Sequence, residues 1–431
     1  MSKFRIVNTN RDINIKTADV PIGRETLIQE KAYGLPFRRK FGVRGTPPAV
    51  SASAFVAPSV TGYNLTSQDL DDIYLATGYF GSGGGGGNVC GASMVKYLKS
   101  KLKDKPIKVI DPGYAINLNT TVLAYMGAPT AMIARDEFVG PTAALVWQSL
   151  DINRDGTFPL NAVIPVEIGP INTFTPMIAA QDAGLPVVDG DGVGRAIPVL
   201  EMALYNYIPG PAPVTVTAET NTTIDCEVSC LDSQTAEAII RPLLSAPVLG
   251  EMAAIALWSS RFGVYPKQVL YNTLLGFKTP GCLELGRLLR ATPSPDTIIT
   301  YMTKYGRTCR YYLFNAAVTD IVETSGSGGF DFTNIYLEDS SGNELIILSQ
   351  NEFLLAWDPA VTKPVCMCPD LISIVDSKGN GYTAMDVQKG NIYSVIFTSA
   401  DPTVWGTQFV LDGVGPVLET LGYYGPLQQL S

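Results

Sequence analysis

The chain has 431 residues, of which 46% are hydrophobic and 16% charged, and it contains no histidine. That length predicts about two domains around substantial cores and argues against disorder. A formal charge of −9 argues against a nucleic-acid surface, which needs clustered Lys and Arg; the absence of imidazole excludes Ser-His-Asp and Cys-His catalysis and His-ligated zinc.

The remaining chemistry must run on carboxylates, backbone amides, Lys, Tyr, Ser or Cys. Cys90, Cys226, Cys230, Cys282, Cys309, Cys366 and Cys368 are odd in number and sparse, which reads as reduced thiols rather than a disulfide scaffold. No run of about 18 apolar residues spans a bilayer, and no apolar leader follows the opening Met-Ser-Lys-Phe-Arg, so the expectation is a cytoplasmic protein with no membrane partner. The low charge fraction favours self-association.

In chain order, residues 1–60 read as a basic arm. Up to Arg44 ten Lys or Arg face four acids, a balance of +6 that leaves −15 for the rest. Such an arm reads either as a tail or as a segment docked on the acidic body or on a neighbouring copy, making a homo-oligomer. Residues 61–230 read as an α/β domain. Thr66 or Ser67 caps a helix through DLDDIYLATGYF, a glycine loop follows, and a second helix runs through CGASMVKYLKSKLKDK with Lys in its last turn. IKVIDP, TAMIA, NAVIPVEI and LPVV read as short strands of a mostly parallel sheet. Residues 231–431 read as a helical segment followed by a β-rich domain. TAEAIIRPLLSAP, LGEMAAIALWSSRF and PGCLELGRLLRAT carry helical spacing, and strands follow from YYLFNAAVTDIVET to IYSVIFTS.

Three stretches could carry chemistry. The glycine run of GSGGGGGNVCG, before a helix, can expose several N–H groups to an anion, although it lacks the Lys-Ser/Thr ending of a P-loop; it reads equally as tight backbone packing. Glu167, and the pair Asp189 and Asp191, follow candidate strands, where ligand sites of α/β sheets gather. These acids could hold a hard cation or share a proton, with Arg195 as charge partner or carboxylate clamp, or they could simply bond turn amides. Glu352, on the strand SQNEFLLAW, reads as facing an interdomain cleft or as a plain edge position. DINRDG at Asp151 to Gly156 imitates half a calcium loop but has Ala162 at the position of the bidentate acid.

The order SGGGG, MGAPTAM, VEIGPIN, LPVVDGDGVGRAIPVLEM, QNEFLLAW, PDLISIVD and VGPVLETLGYYGPL resembles the S-methyl thiohydantoin desulfurase family over roughly Asn64 to Leu427. The resemblance implies an α/β N-terminal and a β-containing C-terminal domain, and hydrolysis of a thiohydantoin or related cyclic amide at the ring carbon between the two nitrogens. It also implies catalytic roles for Asp189, Asp191, Glu167 and Arg195, and binding roles for Gly83, Gly84, Gly85, Gly86 and Asn172. Where the family has an acid after the glycine loop and a Pro-Glu-Leu-Gln after the arginine, this chain has Gly87-Asn88 and Pro198-Val199-Leu200-Glu201. The expectation is therefore a hydrolase using carboxylate-assisted water attack, its cofactor undetermined, with a carboxylate-bound divalent cation as the candidate. The alternatives are a catalytically retired building block of an assembly, or an inactive partner of a hydantoinase-type enzyme.

Overall fold

In the computed structural model, which describes residues 3–8, 55–133, 135–153, 158–207, 210–219, 224–260, 269–326 and 329–430, apolar and β-branched runs build eleven strands before residue 272. These are β1 (Lys3–Asn8), β2 (Tyr63–Asn64), β3 (Lys108–Ile110), β4 (Thr120–Gly127), β5 (Ala162–Pro165), β6 (Val187–Val188), β7 (Gly190–Asp191), β8 (Val214–Ala218), β9 (Ile224–Ser229), β10 (Met252–Ser260) and β11 (Leu270–Tyr271). Nine form one sheet in the order β1-β9-β8-β10-β4-β5-β6-β3-β2, and β7 pairs with β11 in a separate ribbon.

The sheet is mixed, which corrects the mostly parallel expectation. Only β4–β5, β5–β6 and β3–β6 run parallel, while β10 joins β4 to β8 with antiparallel pairing on both sides. The cause is the segment LGEMAAIALWSSRF, expected as a helix, whose residues 252–260 are β10. An unbroken apolar run satisfies a buried strand as well as a buried helix, and periodicity alone does not separate them. TAMIA is likewise no strand: Pro129–Met132 is a short 3₁₀ turn, and the strand lies just upstream as β4, buried along its whole length.

Among the described residues, eight helices have nine or more residues: α1 (Ser67–Phe80), α2 (Asn88–Lys101), α3 (Gly140–Ile152), α4 (Thr175–Ala183), α5 (Ser233–Leu244), α6 (Cys282–Ala291), α7 (Pro295–Lys304) and, after the second sheet, α8 (Gln408–Thr420). The start of α1 follows its local code. Thr66 accepts from Asp69 N while the Asp69 carboxylate accepts from Thr66 N, closing a reciprocal cap.

From Cys309 onward the chain is β-rich, as expected. β12 (Cys309–Ser325), β13 (Asp331–Glu338), β14 (Glu344–Gln350), β15 (Glu352–Asp358), β16 (Lys363–Met367), β17 (Leu371–Val375), β18 (Gly381–Tyr382) and β19 (Ile392–Thr398) form an antiparallel sheet in the order β16-β15-β14-β13-β12-β19-β17-β18. The expected single stretch NELIILSQNEFLLAW is two strands turning at Asn351, whose φ is +62°, a left-handed conformation that Asn tolerates.

Contacts far apart in sequence tie helix α6 to helix α1 and the glycine loop to the second sheet. Arg287 and Arg290 of α6 bind Asp69 and Asp72 of α1 at 2.7 and 2.6 Å. The Ser82 hydroxyl donates to Ile372 O and accepts from Ile372 N, each at 2.9 Å, and Phe353 N donates to Ser82 O at 2.8 Å. All seven cysteines are buried, and none is in a disulfide. Among the described residues no helix is long and apolar enough to cross a membrane. Of the basic arm, β1 pairs antiparallel with β9 at the sheet edge; residues 1–2 and 9–54 lie outside the described residues, as do 154–156 of the DINRDG stretch.

Candidate active site

Parallel strands deliver their C-terminal ends to one rim of a sheet, where the chain turns and side chains are free to converge. The ends of β4 and β5 do so here, and the second sheet faces them. Between the two lies a cavity of about 290 Å³ lined by Gly83–Gly86, Tyr125, Glu167 and Asn172 on one side and Asn351, Glu352 and Thr383 on the other.

Glu167 follows β5 directly. Its Oε1 accepts from Asn172 Nδ2 and its Oε2 from Ile197 N, both at 2.7 Å. Asn172 is itself fixed, because Tyr125 N donates to its Oδ1 at 2.7 Å and its Nδ2 also reaches Tyr125 O at 3.1 Å. Glu352 opens β15 from the opposite domain. Its Oε1 has one long contact, from Gly85 N at 3.4 Å, and its buried Oε2 has no hydrogen-bond partner. Both carboxyls are 4% exposed.

Burial of a charge raises a carboxyl's pKa, a neighbouring carboxylate raises it further, and hydrogen bonds to the anion lower it. Burial is the largest cause at both sites. Glu167 is pushed up to about 7 against the bonds from Asn172 and Ile197; Glu352 is pushed up to about 8 by burial and by the charge of Glu167. The two form one titrating pair. Glu167 has donors on both oxygens and holds the charge more readily; Glu352 holds the proton.

The glycine loop is a close-packed crossing as well as a lining. Gly85 has φ +71°, and a Cβ there would stand 2.5 Å from Gly169 Cα; a Cβ on Gly84 would stand 2.2 Å from Glu352 Cγ. Ile171 N donates to Gly85 O at 2.7 Å and Ala384 N to Gly83 O at 2.8 Å, so the loop is anchored to both domains.

Asp189, Asp191 and Arg195 are buried but do not line this cavity. Asp189 accepts from Leu274 N and Leu275 N at 3.0 Å and from Asn272 Nδ2 at 3.1 Å. Asp191 Oδ1 accepts from Val193 N at 2.7 Å and Gly194 N at 2.6 Å, holding its own turn. Burial raises both carboxyls to about 6. The Arg195 guanidinium donates to four carbonyls: Ala196 at 3.0 Å, Asp370 at 2.6 Å, Phe353 at 2.7 Å and Ser82 at 3.5 Å. It is a knot between the domains. Among the described residues no group of three or more His, Cys, Asp or Glu side chains is placed to hold a metal ion.

Glu237 and Arg241 of α5 also line the cavity and carry no sequence signal beyond an ordinary i,i+4 pair. Glu352 did have one: a polar triplet, Gln350-Asn351-Glu352, inside an apolar run.

Two family models match the chain: S-Me-THD-like, N-terminal domain, over residues 68–227, and S-Me-THD-like, C-terminal domain, over residues 231–426. A crystal structure of a protein from Chromobacterium violaceum is similar, with a TM-score of 0.73 at 24% sequence identity, covering 86% of this chain and 100% of that one. That likeness concerns the fold alone. No curated protein matches the chain.

Proposed function

We propose a function from one premise: the chain belongs to the S-Me-THD-like family. The reading is that the interdomain cavity hydrolyses an S-methyl thiohydantoin, and the observation that carries it is the buried pair Glu167 and Glu352, one from each domain, with Glu352 Oε2 unpartnered.

Glu167, held charged by Asn172 and the Ile197 amide, takes a proton from water as its oxygen bonds to the ring carbon between the two nitrogens. Neutral Glu352 gives its proton to the ring nitrogen of the breaking C=N bond. As the adduct collapses, its hydroxyl proton returns to Glu352 and the proton on Glu167 passes to sulfur. The C–S bond breaks and methanethiol leaves. Water's two hydrogens end on nitrogen and sulfur, and both carboxyls are restored. This division follows the rule that environments pushing two carboxyls apart assign acid and base. The Gly85 amide, aimed at Glu352 Oε1, stabilises the negative charge that develops on Glu352 as it gives up its proton, while Asp189, Asp191 and Arg195 hold the turn and the domain junction behind the pair.

The test is release of methanethiol from an S-methyl thiohydantoin as pH varies. The base must be charged and the acid neutral, so kcat/KM is expected to peak between about 7 and about 8, the values to which the two groups are raised. No methanethiol at any pH, or a flat profile, removes the assignment. A second result is expected from Gly84→Ala. Its Cβ would meet Glu352 Cγ at 2.2 Å, displacing the acid by a large fraction of an ångström and lowering kcat about 10²-fold in a chain that stays folded by circular dichroism.

A further inference from the structure

The cavity has a charge as well as a shape. Besides Glu167 and Glu352, its described lining residues include Glu237, Glu323 and Asp331 against one cation, Arg241. That cation is engaged: Arg241 Nε donates to Glu237 Oε1 at 2.5 Å, another of its nitrogens donates to Pro198 O at 2.6 Å, and the guanidinium lies 4.1 Å from the Phe330 ring centre. Glu323 and Asp331 form no ion pair among the described residues. They sit on paired strands, where Glu323 faces Thr333 and Ser325 faces Asp331, so alternation puts both on the same face of the sheet. Burial and the charge of Glu251 raise the Asp331 carboxyl, the sign of an acid with no cation beside it. Arg195, the other candidate for holding a substrate carboxylate, gives its hydrogen bonds to carbonyls outside the cavity.

An acidic rim alone would mark no ligand. Glu352 supplies the second observation: it is 4% exposed, lines the same cavity, and keeps a buried oxygen without a donor. A buried polar atom left unpaired is costly, and a ligand N–H relieves it. Resting on the ring chemistry proposed above, we infer that this cavity takes a ring whose substituent is cationic or neutral and turns away one that ends in a carboxylate. The uncompensated acids Glu323 and Asp331, on β12 and β13 of the second sheet, set this preference.

The test uses the full chain and three hydantoins, which are the products and are not consumed, bearing 3-aminopropyl, propyl or 2-carboxyethyl at the ring carbon. Calorimetry at low salt is expected to show the aminopropyl ring bound at least about tenfold tighter than the carboxyethyl ring, with the gap narrowing at high salt. The double variant Glu323→Gln, Asp331→Asn is expected to reduce the gap about fivefold while the propyl ring binds as before. Equal or tighter binding of the carboxyethyl ring, or binding of none of the three, overturns the inference. Turnover of the matching S-methyl thiohydantoins separates the two claims. Charge preference in binding without methanethiol release sinks the chemistry and keeps the inference; equal kcat/KM for all three does the reverse.

Discussion

Glu352→Gln is expected to lower turnover of an S-methyl thiohydantoin by about 10²- to 10⁴-fold, the range that a positioned general acid contributes. The substitution keeps the shape of the side chain and removes the transferable proton. Glu352 is the cleaner target of the pair. Glu167 accepts from Asn172 Nδ2 and Ile197 N on its two oxygens, so an amide there sets its own NH₂ against a donor and disturbs the structure as well as the chemistry. At Glu352 only the long contact from Gly85 N is at stake. The stability readout runs the opposite way from activity. Burial raises the folded-state pKa of Glu352 to about 8 from an ordinary 4.5, so the native state binds more protons than the unfolded state across that interval, and stability falls as pH climbs through it. The glutamine variant escapes that fall. Its unfolding midpoint is expected to match the parent at pH 5 and exceed it above about pH 8. Unchanged turnover ends the acid role, and a lower midpoint at high pH contradicts the burial argument.

Arg195→Met is expected to destabilise the chain by about 3–5 kcal/mol, the scale for breaking a buried charged network by removing one partner. Asp370 O and Phe353 O, on two segments of the second domain, lose charge-assisted donors at 2.6 and 2.7 Å. Nearby Glu167 and Glu352 lose the cation that holds their pKa values down, so the acid–base pair shifts upward as well. Chemical denaturation measures the first effect and the pH profile of kcat/KM the second. Arg195→Lys keeps the charge but not the fork, and is expected to recover the pH profile more than the stability. A variant that melts like the parent but shows only a raised KM would make Arg195 a substrate clamp after all.

Local chemistry was readable where it is self-contained. Thr66 and Asp69 cap α1 from within four residues, the glycine loop must lie before α2, and the alternating C-terminal runs could only be strands. Between residues 249 and 262 the apolar run carried no decision, because MAAIALW fits a buried helix and a buried strand alike. It became β10 because β4 and β8 leave their ladders open on either side of it, and both of those strands lie more than thirty residues upstream in the chain.

The same division runs through the site. Residue types alone settled that imidazole has no part, and the strings around Glu167, Asn172 and Gly83–Gly86 named segments that do line one cavity. Asp189, Asp191 and Arg195 stood in an equally suggestive string, yet their partners are the Asn272 side-chain amide and backbone groups of residues 82, 193–196, 274–275 and 353–370. Composition and spacing tell which groups can ionise, cap or turn. Whether a carboxyl meets an amide, another carboxyl or an empty space depends on which distant strand is laid against it, and only the packing of two sheets brought Glu352 to Glu167.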